Sequence, residues 1–456
     1  LGRGVGGAPV RRLGPSAIIT IAAITAITGT SNANPLDAFG FGARGISLGG
    51  AVTATARDVS ANYYNPGGLA AADHLHIDLG YVYTKPRAEL NGADVDIDRS
   101  SGFQGGLLLP GRLFGRRVAF SLGLFLPDDR ITRLRALRQS QPRFELYDNR
   151  PQRLVITSSA SVEVIEDLYF GAGVTYLSNT EGKLDVEGVV HTSDVEQTRL
   201  LSTVNVNLRA VRYPSFGLMW RPGEHWRFGL AEREAFSLAL DLDVDVHGRI
   251  VAGPTNTTVV DEGRFFLTSV NDNLFSPRQV VGGVAWENDL FTFSLDLAWL
   301  QWSGFPSSTA EIDLDLDLEP IQYTIPIPDK PLDPGFHDIV VPRAGVEYRP
   351  VDDETFGLAL RTGGFYEPSP APDQRGPTNY ADCDKIGVGA GVGLRFGALH
   401  PGPEAVWPGP LTLDLAGQYI HLRERRHHKS NPADGVGDYT AGGDVLGTAM
   451  TLGVLF

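Results

Sequence analysis

IGVGAGVGLRF, residues 386–396, is the stretch that decides the fold. Ile386, Val388, Ala390, Val392, Leu394 and Phe396 alternate with Gly387, Gly389, Gly391, Gly393 and Arg395. A period of two places the two sets on opposite faces of a strand. The same pattern recurs outward from this stretch in both directions. In 290–301, Phe291, Phe293, Leu295, Leu297 and Trp299 alternate with Thr292, Ser294, Asp296 and Ala298. In 117–126, Val118, Phe120, Leu122, Leu124 and Leu126 alternate with Arg117, Ala119, Ser121 and Gly123. In 75–85, Leu75, Ile77, Leu79, Tyr81 and Tyr83 share one face, with His76, Asp78, Gly80 and Thr84 on the other.

A soluble sandwich also alternates, and three features separate this chain from one. The runs have the length of a tilted membrane strand, about 9–11 residues. Aromatic residues (Tyr81, Tyr83, Trp286, Trp299, Trp302, Tyr348, Tyr366 and Tyr419) fall near strand ends, as in an interfacial girdle. Short turns at 221–226, 287–290 and 349–354 alternate with long loops at 127–150, 304–340, 367–384 and 424–442, the pattern of a transmembrane barrel with short periplasmic turns. The sequence predicts an all-β transmembrane barrel of fourteen antiparallel strands. Their spans are 75–85, 102–110, 117–126, 153–165, 168–190, 195–221, 226–248, 258–287, 290–303, 340–350, 355–366, 385–397, 410–423 and 443–456. The long middle spans leave room for extra hairpins at 181–211 and 235–275.

Composition agrees with this class. Beyond the N-terminal region, none of the 456 residues falls in a run of 18 apolar ones, which excludes a helical membrane bundle. The net charge of −15 argues against a nucleic-acid partner. Cys383 is the single cysteine, so no intramolecular disulfide is possible. Two acidic alternating runs, DLDVDVH (241–247) and EIDLDLDLE (311–319), are expected as solvated faces on loops above the membrane. No GxSxG elbow, HExxH helix or Cys/His cluster is present, so no enzyme, metal or cofactor is expected. His427 and His428, in RERRHHKS, are expected at the surface.

Ahead of the strands lie two further segments. Arg11 and Arg12, the apolar run Ala17–Ile27 and the small residues Ser31-Asn32-Ala33 have the layout of a secretory signal peptide over residues 1–33. Residues 34–73 follow, with the small-residue run AFGFGARGISLGGAVTATARDVSANYYNPGGLAAA at 38–72. Such a segment can fold tightly in a confined space, and Pro66 removes a donor while keeping Asn65 out of the helical region. It reads as a plug placed before a barrel that spans 74–456. Its apolar residues Phe39, Phe41, Ile46 and Leu48 are candidate ligand contacts. By alternation Arg343, Arg361 and Arg395 face the lumen, as do Asp78, Asp296, Glu347 and Asp414. Arg343 and Arg361 are candidate anchors for a carboxylate ligand, and an internal ion-pair network is the competing use of these charges.

In ARGISLGGA, the run Asp58-Val59-Ser60-Ala61, YYNPGGLA, GLFLPDD (123–129), GLALRTGGFYEPSPAPDQ (357–374) and the terminal Phe456, the chain resembles the FadL-type long-chain fatty acid and hydrocarbon transporters. The resemblance implies an outer-membrane barrel of a Gram-negative bacterium, a lumen closed by an N-terminal hatch, and passive uptake of hydrophobic small molecules. It also implies release of the ligand sideways into the bilayer through a strand irregularity, for which Gly123 is the candidate kink. The family's Asn-Pro-Ala hatch motif corresponds to Asn65, Pro66 and Gly67, with glycine in place of alanine. Phe456 matches the terminal aromatic read by the barrel-assembly machinery. The expected partners are therefore an apolar ligand, outer-membrane lipid and lipopolysaccharide, and that machinery, with the chain a monomer. A barrel of this type used in protein secretion or surface attachment is the alternative, and a general porin the third reading.

Overall fold

The computed structural model describes residues 35–128, 142–144, 147, 153–189, 199–252, 257–305, 310–317, 335–376, 378–397, 409–431 and 435–456. The expected signal peptide lies outside the described residues. Fourteen strands form the barrel: β1 His76–Leu90, β2 Ser100–Leu113, β3 Arg116–Pro127, β4 Val155–Ile165, β5 Leu168–Leu177, β6 Val211–Trp220 and β7 Trp226–Arg233, then β8 Arg278–Glu287, β9 Phe291–Gln301, β10 Ile339–Asp352, β11 Phe356–Glu367, β12 Lys385–Phe396, β13 Leu411–His427 and β14 Tyr439–Leu455. Each pairs antiparallel with its neighbours in sequence order. The sheet closes where β1 meets β2 on one side (His76 opposite Leu108) and β14 on the other (His76 opposite Leu455). Closure removes the free edge that hydrocarbon would leave without hydrogen-bond partners.

The alternation sorts the two faces as the sequence predicts. Leu79, Leu295 and Leu297 are each 60% exposed on the outside, while Ser294, Asp296 and Ala298 between them are buried in the lumen. Trp220, Trp226, Phe228, Phe291, Tyr348 and Phe396 gather on the outside near the short turns, forming the girdle at the periplasmic interface. Trp302, expected in the girdle, is instead buried at the outer end, where it packs against Phe275, Phe305 and Phe336.

The four long middle spans are corrected. Each divides into a barrel strand and a second strand that continues beyond it: Thr180–Val189, Arg199–Leu208, Phe236–Ala252 and Thr257–Ser276. With Ala310–Asp317 they form a separate five-stranded sheet, in the order 310–317, 257–276, 236–252, 199–208, 180–189. The breaks fall at 178–179, 209–210, 234–235 and Pro277, and a proline cannot donate to a ladder. Residues 241–247 and 311–317 of the acidic runs lie in this upper sheet, on strands that flank Thr257–Ser276. His427 is also corrected. It is buried, its ring lies 4.9 Å from Tyr439, and Gln374 N donates to its Nδ1 at 3.4 Å. His428 stays exposed beside Asp438.

Placing a cation in the middle of the outer belt tests the register. Leu295→Arg is expected to destabilise the barrel by about 2–4 kcal/mol in a bilayer, read from reversible denaturant unfolding in lipid vesicles. Undiminished stability would mean that Leu295 does not face lipid.

Candidate functional site

Residues 35–72 lie inside the barrel, and from Phe39 onward most are buried. They fold as three short helices, α1 Pro35–Phe39, α2 Ala43–Ser47 and α3 Ala61–Tyr64, followed by a 3-10 turn at Pro66–Ala71. Small side chains leave the backbone of this segment accessible, and the inward side chains of the wall satisfy it. Gln104 of β2 accepts from Gly42 N at 2.9 Å and donates to Gly40 O at 3.2 Å. Thr451 of β14 accepts from Ala43 N at 3.1 Å, and Asp296 of β9 accepts from Thr53 N at 2.9 Å. The segment therefore bridges walls on several sides of the lumen.

Asn65, Pro66 and Gly67 form the joint between two helices. Asn65 N closes α3 on Ala61 O at 3.0 Å, and its extended φ of −161° is what a residue before proline adopts. Its side chain accepts from Gly67 N at 3.0 Å, capping the 3-10 turn, and donates to Thr53 O at 2.7 Å and Leu218 O at 2.9 Å. Ser161 of β4 donates to Gly67 O at 3.0 Å. The wall comes this close because it is bare: Gly171 and Gly217 are cross-strand partners, and a Cβ on either would overlap this joint. Asp58 accepts from Ser60 N at 2.8 Å in the turn before α3.

On the other side α2 rests on a second bare row. Gly345, Gly363 and Gly389 are register partners across β10, β11 and β12, and the backbone of Ile46–Leu48 lies directly against them. Arg44 of α2 donates to Glu347 of β10 at 3.2 Å. Glu347 also accepts from Arg361 at 2.6 Å and Arg349 at 2.9 Å, and Arg361 pairs onward with Asp414. Arg57 reaches Glu287 at 3.0 Å. Burial opposes the charge on Arg44, but Glu347 and then Asp58 outweigh it and hold the guanidinium above its ordinary value. Burial likewise raises Tyr63 and Tyr64, keeping both protonated. Tyr63 then donates to Asp37 at 2.9 Å, and Tyr64 accepts from Phe41 N at 3.1 Å.

The hatch separates two sets of cavities. On its outer side a 50 Å³ cavity is lined by Phe39, Ile46, Tyr64, Arg343 and Phe365. Arg343 makes no hydrogen bond or ion pair among the described residues. Phe39 also belongs to the apolar cluster of the outer mouth, with Phe275, Trp302, Phe305, Phe336 and Tyr380. On the periplasmic side lie a 290 Å³ cavity bordered by Arg44, Glu347, Arg361 and Arg395, and a 130 Å³ cavity bordered by Phe41, Arg44, Asp78 and Gln104.

The candidate ligand residues are thus divided. Phe39, Ile46 and Arg343 meet above the hatch; Phe41 and Arg361 lie below it; Leu48 is packed on the glycine row. Gly123 sits in continuous ladders, opposite Gly106 and Thr157. Phe456 is exposed, its backbone paired with Leu75. Sequence reasoning placed Glu347 in the lumen and offered an internal ion-pair network for it, which Arg349 and Arg361 form with it here, and it missed Arg44. Two arginines, Arg44 and Arg57, in a run of small residues were the available signal.

One Cβ tests the docking. Gly363→Ala is expected to cost about 1–3 kcal/mol by overpacking against Leu48 and to speed protease cleavage within residues 35–72. Gly417→Ala, where a Cβ meets open space, serves as the control. Equal behaviour of the two variants would refute tight docking.

A family model described as "Outer membrane protein transport protein (OMPP1/FadL/TodX)" matches residues 20–454. The chain is similar to the alkane uptake protein A of Marinobacter nauticus, 24% identical over 386 residues that cover 80% of this chain and 79% of that one. Among solved structures it is similar to a FadL homologue of Pseudomonas aeruginosa, with a TM-score of 0.52 at 17% identity over 94% of this chain and 97% of the other. It is likewise similar to the toluene transporter TodX of Pseudomonas putida, with a TM-score of 0.52 at 15% identity over 92% and 99%. At these identities the structural likeness establishes the fold alone.

Proposed function

The chain belongs to the OMPP1/FadL/TodX family of outer-membrane transport proteins, and from that premise we propose that it carries long-chain fatty acids or hydrocarbons passively inward, with residues 34–73 as the gate. The observation that carries this reading is the apolar continuity from the outer mouth to the hatch. Phe39 belongs both to the mouth's aromatic cluster and to the cavity beside Ile46 and Phe365. An elongated apolar molecule moving along such a surface is desolvated at each step, worth about 0.8 kcal/mol per buried methylene. The relative from Marinobacter nauticus takes up alkanes by its name, which supports the same substrate class here.

Arg343 supports extending that class to carboxylates. It is a guanidinium in the lumen wall that makes no direct ion pair among the described residues, although Asp296 lies opposite it in register, and it borders the mixed polar and apolar cavity on the outer side of the hatch. Arg361, in contrast, is engaged by Glu347 and Asp414. The resemblance also implies sideways release into the bilayer. Around Gly123 the ladders carry no register shift, and the shifts in the barrel fall near strand ends, at Glu163/Ile165, Tyr348/Val351 and Leu422/Arg425. Phe456, at the end of β14, is proposed as the assembly signal.

Cells with the gene should accumulate labelled palmitate or hexadecane faster than cells lacking it; equal rates across a panel of apolar compounds would sink the reading. Arg343→Ala is expected to slow palmitate uptake about tenfold or more, the loss of one hydrogen bond to a charged group, and to leave hexadecane uptake unchanged. Equal effects on both compounds would remove the anchor.

A further inference from the structure

Tyr366 on β11, Tyr419 on β13 and Tyr83 on β1 are between 36% and 41% exposed near the outer ends of their strands and mark the outer membrane interface. Arg423 lies four residues beyond Tyr419, and Arg87 four residues beyond Tyr83, about 13 Å along each strand. The even spacing keeps both arginines on the outward face, and both are exposed. They stand two strands apart, about 10 Å. Asp444 of β14 lies between those strands, opposite Arg87 on one side and His421 on the other.

The basic run RERRHHKS divides along the same line. Arg425 and Lys429 hold the loop at 369–378 by hydrogen bonds. Arg423 has no such use. The ladder between β13 and β14 shifts register between Leu422 and Arg425, which puts Arg426 on the outward side as well, opposite Thr440. Three aspartates of this rim are already engaged. Asp444 accepts from Tyr419 and lies 2.9 Å from His421 Nδ1. Asp384 accepts from Tyr366 at 2.9 Å and from Ser369 N at 2.9 Å. Asp438 accepts from Lys429 N at 2.9 Å and lies 2.8 Å from His428, while Arg426 comes no nearer to it than 3.8 Å. The exposed Glu89 and Glu424 pair with neither Arg87 nor Arg423, and these two arginines make no ion pair among the described residues.

A chain of net charge −15 therefore presents free guanidiniums on its lipid-facing wall, just beyond the tyrosine belt. At that level a side chain meets lipid headgroups, not hydrocarbon. A guanidinium binds phosphate through two parallel hydrogen bonds. We propose that Arg87, Arg423 and Arg426 form a binding site for the phosphorylated sugar headgroup of lipopolysaccharide, on the outer rim where β13, β14 and β1 meet. Tyr83 and Tyr419 lie beneath the arginines, where the acyl chains of the same lipid begin. The inference rests on the outer-membrane location and is independent of what the lumen carries.

The full chain in detergent micelles, titrated with bisphosphorylated lipid A and read by native mass spectrometry, tests it. Arg87→Gln with Arg423→Gln should weaken lipid A binding at least about tenfold, the loss of hydrogen bonds to a charged group. Arg116→Gln, an equal loss of charge at the exposed periplasmic turn, should leave it unchanged. Lipid A stripped of its phosphates should bind the unmodified protein as weakly as lipid A binds the double variant. Undiminished binding by the double variant, or equal binding of the stripped lipid, would overturn the site. Displacement of lipid A by millimolar inorganic phosphate would reveal a free-anion site and would overturn the lipid as its occupant.

Discussion

The rest of the structure depends on one constraint: hydrocarbon offers no hydrogen bonds, so every backbone N–H and C=O within it must find a partner in the chain. β1 meets this by pairing along its length with β14 and through its first half with β2. Once the ladder is closed, each strand has one face toward lipid and one toward an enclosed space. The leucines and aromatics are on the outer face because water is absent there. The serines, glycines and charges are on the inner face because the lumen is the only place left for them. The girdle, the apolar belt and the polar interior follow from that division.

A closed lumen then imposes the same demand on whatever occupies it. The hatch has little regular structure to satisfy its own backbone, so the wall supplies the missing partners from Gln104, Asp296, Thr451 and Ser161. This works only at short range, which explains the glycine rows on β5, β6 and β10 to β12. They are gaps in the wall cut to the width of a backbone. Charges obey a related rule. A carboxylate in so confined a space is costly unless paired, and Glu347 and Asp414 have guanidinium partners, while Asp296 accepts a backbone donor instead.

Much of this was legible in the sequence because alternation reports directly on the side of the wall. The strand number came from counting alternating runs between turns, and the inward direction of Arg343, Arg361 and Glu347 from parity. Depth along the barrel did not, since parity is the same at every level. Arg343 and Arg361 looked equivalent, yet one lies above the hatch and the other below it. The long middle spans were misread for a similar reason. Alternation continues unbroken from the barrel into the upper sheet, and only short interruptions such as Pro277 mark the place where one sheet gives way to another. Trp302 and His427 were misplaced because loop packing, not strand parity, decides their burial.

The Asn-Pro-Gly joint takes on a different meaning in this light. Proline and a capping asparagine lower the freedom of a chain, which suits a frame better than a moving part. Glycines in left-handed backbone raise it, and in the hatch they cluster around α2. Arg44 borders the larger periplasmic cavity and meets a carboxylate already held by two other arginines. Glu347 therefore keeps two partners without Arg44, whereas the buried Arg44 depends on that carboxylate, so breaking the pair costs the arginine far more than the glutamate.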